Sequence, residues 1–181
     1  PCTDAIIEAG IEKVYVGSLD PDPRVSGRGI RLLRQAGVDV VCGILERESQ
    51  LLNRAHTKQV TTGIPWVTAK WAMTLDGKIA ASSGDSSWIS GEASRQLVHH
   101  LRDTHDVIMV GRGTLAQDDP RLTCRIDGGR DPLRVVLDSR LSGPVDSRLF
   151  DPELSSERTV VFAGPEAPDE GAAAAERRAM G

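Results

Sequence analysis

The sequence has few cysteines, no long apolar run and no excess of basic residues. Its three cysteines, Cys2, Cys42 and Cys124, are odd in number and far apart. That spacing excludes a disulfide framework and indicates a reducing compartment, so we expect a cytoplasmic protein. No apolar run approaches the length of a membrane span, so we expect no membrane partner. The net charge of −4 excludes a general nucleic-acid binder.

The composition, with 39% hydrophobic and 27% charged residues, is that of a globular protein. A length of 181 residues allows one domain or two small domains. The chain begins on Pro1 and ends within a helix-forming run, residues 170–180, so we expect a segment of a longer protein. A processed or engineered start and a frayed natural tail are the alternatives.

Residues 1–58 alternate between helix and strand patterns. The predicted helices span residues 3–10, 26–36 and 46–58, and the predicted strands span residues 13–17 and 38–43. This alternation requires crossover connections, so it predicts a parallel sheet covered by helices. The run Thr-Thr-Gly-Ile-Pro at residues 61–65 then marks a domain boundary.

The stretch from Val67 to Trp88 is the main candidate for a ligand site in this sequence. Apolar and polar residues alternate from Val67 to Thr74, which predicts a half-buried strand with Lys70 inside it. An Asp-Gly pair then forms a turn, and small residues follow. We interpret the stretch as a ligand site in which the buried Lys70 pairs with a charge of the ligand and the flat ring of Trp88 packs against the ligand. A strand at a sheet edge, followed by a flexible loop, is the alternative.

The second half of the chain continues the pattern with one helix and three strands. The helix is capped by Ser90, with Ala93, Leu97, Val98 and Leu101 as its buried face. The strands are predicted at residues 106–111, 133–138 and 158–164, the first of them as a buried strand. The histidines near the helix lie off its apolar face and have no metal-binding spacing, so we interpret them as surface residues.

The motif at residues 111–116, Gly-Arg-Gly-Thr-Leu-Ala, matches G-x-G-x-x-A directly after a strand. Glycines in such a loop let backbone N–H groups approach a phosphate. Ser139 and Arg140 after the next strand would suit the ribose 2′-phosphate of NADP. A tight turn is the alternative for the motif alone.

Several charged residues could bind or react. Asp118 and Asp119 could serve acid–base chemistry, or they could cap a turn before the following proline. Arg102, Arg121 and Arg125 could capture a phosphate, or they could be solvated surface charges.

Cys2 opens the first helix, where a thiolate could be a metal ligand or a nucleophile. Zinc deaminases use an H-x-E…P-C-x-x-C arrangement. Only the end of that arrangement could be present in this sequence.

Together these residues resemble the bifunctional deaminase/reductase family of riboflavin biosynthesis. The opening Pro-Cys-Thr-Asp-Ala-Ile is similar to the last zinc cysteine of the family's deaminase domain and the helix after it. The reductase motifs are the most specific ones, and they occur in the family's order. They are Lys70–Ala80, Ser83–Ser90, Leu101–Arg102, Asp106–Gly111, Thr114–Thr123 and Pro132–Ser139.

The resemblance implies an α/β fold in two parts. Residues 1–62 would be the C-terminal part of a cytidine-deaminase-like domain, and residues 63–181 the N-terminal part of a dihydrofolate-reductase-like domain. The latter domain binds NADPH on a mixed sheet without a Rossmann unit, so residues 111–116 would form a cofactor loop of another kind. The family is typically oligomeric and acts on a small molecule, so we expect a homo-oligomer.

The resemblance also implies a reaction, the reduction of 5-amino-6-(5-phosphoribosylamino)uracil to the ribitylamino form with hydride from NADPH. By motif position, the cofactor residues would be Ala72, Trp88, Thr114, Asp118 and Ser139, the substrate residues would be Ser86, Arg102, Leu122 and Arg125, and the zinc ligand would be Cys2. Lys70 is our candidate for proton or electrostatic help in the reduction, with Asp118 as the second candidate.

The sequence departs from the family pattern at two places. The H-x-E motif and the first zinc cysteine are missing, so Cys2 would belong to an incomplete zinc site. The glycine-rich cofactor segment that follows in the family is also missing, and we expect little or no activity from these residues alone. The alternatives are a stand-alone pyrimidine reductase with a degenerate N-terminal domain and a non-catalytic nucleotide-binding module.

Overall fold

The computed structural model describes residues 2–86, 89–154, 158–165 and 167. The chain divides into two compact units, Pro1–Trp71 and Ala72–Gly181. Both units combine helices with parallel strands, which confirms the predicted α/β class. Within the described ranges, no helix combines the length and the apolarity needed to cross a membrane.

The first unit contains a two-stranded parallel sheet and four helices. The elements are α1 (Cys2–Glu8), β1 (Lys13–Val16), α2 (Arg28–Gln35), β2 (Asp39–Cys42), α3 (Glu46–Leu52) and α4 (Arg54–Thr62). Strands β1 and β2 pair in parallel, as the alternating pattern predicts. Gly37, at φ 88°, takes the left-handed conformation that ends α2 and turns the chain into β2.

The core of the first unit lies between the sheet and α2. Leu33 from α2 packs with Val38 and Val40, and partly buried residues of α1 and β1 complete the cluster. Each of these side chains lies on the apolar face of its element, so the period of the pattern decides which residues are buried.

The helix predicted at residues 46–58 is wrong in one respect, because the structure has two helices that meet at Asn53. The Asn53 side chain donates a hydrogen bond from Nδ2 to the carbonyl of Ser49, at 2.9 Å. Asparagine competes with the helix for backbone hydrogen bonds in this way, which accounts for the break.

The second unit contains a three-stranded parallel sheet in the order β3-β4-β5. Its elements are α5 (Glu92–Thr104), β3 (Val107–Gly111), α6 (Arg112–Asp118), β4 (Leu133–Leu137), a 3₁₀ turn (Arg148–Phe150) and β5 (Thr159–Phe162). The three strands lie where the sequence predicts them. At the carboxyl edge of the sheet, Gly111 is aligned with Leu137 and Leu137 with Phe162.

One face of this sheet carries the core of the second unit. Leu115, Leu122, Val136 and Leu149 are buried there in a single cluster. On the opposite face, Met109 is 55% exposed and Val107 is also exposed, so the prediction of a buried β3 is wrong. The alternation of exposed and half-buried residues along β3 shows that the described residues cover only one of its two sides.

Helix α5 also differs from its predicted burial. Leu97 is 59% exposed and Ala93 is exposed, while Val98 and Leu101 are half-buried. The helix instead turns the side that carries His99 and Arg102 toward the loop that follows α6. Hydrogen bonds to that loop, rather than apolar burial alone, decide the orientation of α5.

The predicted strand from Val67 to Thr74 is wrong, because the structure describes residues 64–74 without regular secondary structure. Neither of the two sheets includes this segment. A period-two pattern forms a strand only where a neighbouring strand accepts its hydrogen bonds. The turn after it is as predicted: Gly77, at φ 81°, donates its N–H to the carbonyl of Thr74 at 2.9 Å.

Candidate active site

Two of the predicted cofactor residues follow the carboxyl edge of the second unit's sheet. Thr114 comes three residues after Gly111, the last residue of β3, and Ser139 comes two residues after Leu137, the last residue of β4. Because Gly111 and Leu137 are aligned across the sheet, both loops leave the same edge. Both side chains are exposed there. Ligands of open parallel sheets bind at this edge.

The two glycines of the motif leave open space beside the main chain. A Cβ at Gly111 or at Gly113 would meet no atom of the described residues within 4 Å. Gly111 has φ −83° and ψ 162°, angles that any residue can adopt, so the backbone itself does not require glycine here. The open space is what a flat or phosphorylated ligand needs in order to approach the backbone closely.

Asp138 fixes the loop that carries Ser139. Its side chain is buried, with 3% of its surface exposed, and Oδ2 accepts a hydrogen bond from the Gly143 N–H at 2.7 Å. Burial by itself would raise the pKa of Asp138. The N–H groups of Gly143, Ser142 and Arg140 outweigh that effect and hold the pKa below 3.8. Asp138 is therefore ionised at neutral pH, and its carboxylate stabilises the loop by accepting these hydrogen bonds.

Replacing Asp138 by alanine is expected to destabilise the protein by about 1–3 kcal/mol, because buried N–H groups of the loop lose their acceptor. The pKa is lowered in the folded state, so the carboxylate's contribution is complete above pH 3.8 and is lost as the pH falls through the folded pKa. Urea unfolding at several pH values measures both effects. The matched control is Asp146→Ala, an exposed position on the same loop, with an expected change within about 0.5 kcal/mol. Equal losses in the two variants would contradict the role of Asp138.

The loop from Asp119 to Arg125 is strained and held in place by hydrogen bonds. Asp119, at φ 40°, and Leu122, at φ 55°, are both left-handed although neither is glycine. Asp119 accepts hydrogen bonds from the Ser147 hydroxyl at 2.7 Å and from the Arg148 N–H at 2.8 Å. These bonds, first of all the one from Ser147, lower the pKa of Asp119. Strain of this kind persists only where the surroundings impose it.

A cluster of basic side chains joins α5 to this loop. Arg102 donates from Nη1 to the Thr123 carbonyl at 3.2 Å and lies 3.3 Å from Nδ1 of His99. The Arg125 N–H donates to the same Nδ1 at 3.1 Å. The structure thus links two of the four predicted substrate residues, Arg102 and Arg125, through His99. Leu122 precedes Thr123 in the same loop, but its side chain is buried in the core cluster.

Neither arginine of this cluster forms an ion pair within the described residues, although the more distant charge of Asp131 raises the pKa of Arg102. None of the ion pairs found among them involves Arg102 or Arg125. Burial, and then the charge of Arg125, lower the pKa of Arg102. The Nε–H of Arg102 is buried without a hydrogen-bond partner in the described part of the chain. An anion that accepts hydrogen bonds from Arg102 would therefore offset the free-energy cost of burying this unpaired guanidinium.

The remaining predicted residues are not joined to this cluster by hydrogen bonds or ion pairs among the described residues. Ala72 and Ser86 are half-buried, and Asp118 is exposed as the last residue of α6. Lys70 is exposed in the irregular segment of the first unit, so the predicted buried lysine is wrong. Trp88 lies outside the described residues.

Cys2, the predicted zinc ligand, is exposed as the first residue of α1. The described residues contain no group of three or more histidine, cysteine, aspartate or glutamate side chains that could hold a metal ion. The residues described here do not by themselves form a zinc site.

Sequence reasoning missed His99, which was interpreted as a surface residue. The structure shows it half-buried, with its ring hydrogen-bonded to the loop. Its place three residues before Arg102 was a usable signal, because residues at this spacing share one face of a helix. Its bond to Arg125, 26 residues away in the sequence, had no local signal.

Comparison with known proteins identifies the family. A family model described as the RibD C-terminal domain matches residues 65–174. The riboflavin biosynthesis protein RibD of Actinobacillus pleuropneumoniae is 48% identical over 149 residues, which are 82% of this chain and 40% of that protein. RibD of Aquifex aeolicus is 42% identical over 154 residues, which are 84% of this chain and 43% of that protein.

Solved structures agree with the sequence comparison. The diaminohydroxyphosphoribosylaminopyrimidine deaminase/5-amino-6-(5-phosphoribosylamino)uracil reductase of Thermotoga maritima matches with a TM-score of 0.80 and 44% identity, over 90% of this chain and 46% of that one. RibD of Acinetobacter baumannii matches with a TM-score of 0.79 and 37% identity, over 90% of this chain and 47% of that one.

The chain spans less than half the length of these relatives. The family match covers well over half of this chain, and it includes the α5 cluster, the strained loop and the carboxyl edge of the sheet. The resemblance drawn from the motifs is confirmed: the chain belongs to the RibD C-terminal domain family.

Proposed function

We propose that this chain contributes to an NADPH-dependent reductase of riboflavin biosynthesis, which converts 5-amino-6-(5-phosphoribosylamino)uracil to its ribitylamino form. The observation that carries the proposal is Arg102, a partly buried cation of α5 without an ion-pair partner among the described residues. Its guanidinium is hydrogen-bonded to the loop that the family motifs mark as substrate-binding. The printed name of the Thermotoga maritima neighbour supports the substrate.

The substrate's phosphate is assigned to Arg102 and Arg125. Arg102 uses only Nη1 for hydrogen bonds to described residues, so its Nη2 group remains available to an anion. The side chain of Arg125 is exposed beside it. A planar guanidinium matches phosphate oxygens in pairs, which a lysine ammonium cannot do. Leu122, whose side chain packs in the core, would contact the substrate only through its main chain, and Ser86 completes the proposed substrate set.

The cofactor is assigned to the carboxyl edge of the sheet. The open space at Gly111 and Gly113 fits a ligand that lies against the main chain. Thr114, Ser139 and Asp118 would hold NADPH there, together with Ala72 and Trp88. Ser139 and the neighbouring Arg140 would contact its 2′-phosphate, which distinguishes it from NADH. When bound, NADPH supplies the hydride for the reduction.

The ring-opened sugar of the substrate presents an aldehyde or imine carbon. When that carbon is reduced, the adjacent oxygen or nitrogen gains charge and needs a proton or a nearby cation. Lys70, which is exposed, is the proposed donor or cation. Asp118 is the second candidate for this role, although cofactor binding is the assignment we prefer for it.

We further propose the finer division of the chain. Residues 1–62 would be the end of a cytidine-deaminase-like domain with Cys2 as one zinc ligand, and residues 63–181 the first part of a dihydrofolate-reductase-like domain. The protein would act in the cytoplasm as a homo-oligomer. We assign no deaminase step to these residues, and we expect little turnover of either reaction from the 181 residues alone. Turnover comparable to that of a complete enzyme would contradict this expectation.

Replacing Ser139 by glutamate is expected to weaken NADPH binding by at least about tenfold, because a carboxylate would face the 2′-phosphate. NADH, which lacks that phosphate, should lose much less affinity. Fluorescence titration of the polypeptide encoded by the complete open reading frame measures both affinities. Ser94→Glu, at an exposed position of α5, is the matched control and should leave both unchanged. Equal loss for NADPH and NADH would contradict the assignment of Ser139.

A further inference from the structure

We infer that His99 is a positioning residue, a neutral imidazole whose Nδ1 accepts hydrogen bonds from both halves of the phosphate site. It ties the Arg102 guanidinium on α5 to the main chain of Arg125 on the loop. The inference rests on the proposed function, in which these two arginines bind the phosphate of the substrate.

The two hydrogen bonds decide the protonation state of the ring. The Arg125 N–H lies 3.1 Å from Nδ1, and Nη1 of Arg102 lies 3.3 Å from the same atom. A peptide N–H and a guanidinium can only donate, so Nδ1 must act as the acceptor. The ring proton is therefore on Nε2. A second proton on Nδ1 would remove the acceptor from both partners at once.

The surroundings of His99 favour the same state. Burial lowers the pKa of His99 below 6.5, and the charges of Arg102 and Arg125 lower it further. Glu92, on the same helix, and a hydrogen bond to the Thr123 backbone of the loop both raise the pKa of His99, but more weakly. The thiol of Cys124 from the loop donates to the His99 carbonyl at 3.5 Å, which anchors the backbone rather than the ring. The ring thus meets two cations from two different elements and stays neutral.

This arrangement serves phosphate binding in two ways. It fixes Nη1 of Arg102 through His99 and Thr123, which sets the plane of the guanidinium without using Nη2. It also places no negative charge beside the arginines, whereas a carboxylate in the same position would neutralise them and compete with the substrate. A neutral hydrogen-bond acceptor can therefore orient both arginines without forming an ion pair with them, so that their positive charges can attract the phosphate.

The test uses the polypeptide encoded by the complete open reading frame, with ribose 5-phosphate as the probe. His99→Leu is expected to weaken the affinity for the probe about tenfold, equivalent to about 1.4 kcal/mol. His99→Asn, whose Oδ1 can replace Nδ1 as an acceptor, should restore most of that affinity. Calorimetry measures the affinities, and thermal unfolding checks that each variant is folded.

A pH series separates positioning from a merely structural role. The affinity of the wild type should fall as the pH drops through the folded pKa of His99, which lies below 6.5. His99→Leu should lack this step, while protonation of the probe itself affects both proteins alike. Nitrogen NMR of the wild-type ring should show a proton on Nε2 and none on Nδ1 at neutral pH.

The outcomes distinguish the inference from the proposed function. A wild type that binds ribose 5-phosphate no more tightly than His99→Leu overturns the positioning role and leaves the phosphate site intact. A proton on Nδ1 at neutral pH also overturns it. A wild type without measurable affinity for the probe overturns the phosphate site itself, and the inference falls with it.

Discussion

Replacing Arg102 by methionine should raise the KM for 5-amino-6-(5-phosphoribosylamino)uracil about a hundredfold and change kcat much less. Removing one partner of a desolvated, hydrogen-bonded charge pair costs about 2–5 kcal/mol of binding, and a factor of a hundred is about 2.7 kcal/mol. The loss falls on KM because the phosphate is distant from the reacting carbon and is held equally in the ground and transition states.

The same substitution should change the stability of the protein without ligand only slightly. Arg102 is partly buried, its Nε–H is unpaired among the described residues, and no carboxylate there forms an ion pair with it. An apolar side chain of similar length removes that cost, but it also removes the hydrogen bonds to Thr123 and His99, so the two effects on stability oppose each other. The urea midpoint should therefore change little, in contrast to the roughly hundredfold change in KM.

The matched control for this prediction is Arg121→Met. Arg121 lies on the same loop, but its Nη2 is paired with Oδ2 of Asp151 at 3.0 Å. Its replacement should leave KM within about fivefold, because its guanidinium is already paired with Asp151 and the loss of a surface ion pair costs at most about 1 kcal/mol. Steady-state kinetics and urea unfolding of the three proteins provide the comparison. The phosphate assignment fails if Arg102→Met and Arg121→Met change KM to the same extent.

Replacing Leu115 by alanine should destabilise the protein by about 2–5 kcal/mol, the range for deleting a large buried aliphatic side chain. Leu115 is 1% exposed and packs with Leu122, Val136 and Leu149. It is also the residue after Thr114, and a Cβ at Gly143 would come within 3.2 Å of its Cδ2. The cavity would therefore loosen both loops at the carboxyl edge of the sheet.

Urea unfolding and NADPH titration of the same variant test this consequence together. The NADPH affinity should fall as well, because Leu115 packs α6 against the loop after β4. Leu97→Ala is the control, since Leu97 is largely exposed, and its effect on stability should be within about 0.5 kcal/mol. A Leu115→Ala protein as stable as Leu97→Ala would show that the described core does not support the site.

The elements that sequence reasoning placed correctly are those whose signals are local. The run Leu-Arg-Val-Val-Leu at residues 133–137 is rich in β-branched and aliphatic residues, and Pro132 and Asp138 bound it. Gly37 ends α2 through its left-handed angle, which few other residues adopt easily. Each of these signals lies within a few residues of the element that it defines.

The errors occurred where the outcome depends on a distant partner. Residues 67–74 have the alternation of a strand, but neither sheet pairs with them. The apolar stripe of α5 predicted burial for Leu97, whereas the loop is hydrogen-bonded to the side of α5 that carries His99 and Arg102. His99 accepts from the Arg125 N–H, and Arg102 donates to the Thr123 carbonyl. Periodicity shows which residues share a face, and only the fold shows what that face contacts.

In the candidate site, too, residues with a local sequence signal were predicted, and residues that act through distant contacts were missed. Family motifs named Arg102, Leu122 and Arg125, and the structure links Arg102 and Arg125 through His99 while Leu122 packs in the core. His99 and Asp138, which hold the arginines and the Ser139 loop, were not recognised, because their roles lie in hydrogen bonds to other elements. Lys70 was expected in a buried strand and is exposed, so its part in the reaction depends on a bound substrate.

The most direct test of the proposed reductase is a deuterium-transfer measurement. The polypeptide encoded by the complete open reading frame is incubated with 5-amino-6-(5-phosphoribosylamino)uracil and with NADPH that carries deuterium at its transferred position. Mass spectrometry should show one deuterium per molecule of ribitylamino product, bound at the first ribityl carbon. Unlabelled product, or NADPH binding without any product, would contradict the account and favour a non-catalytic nucleotide-binding module.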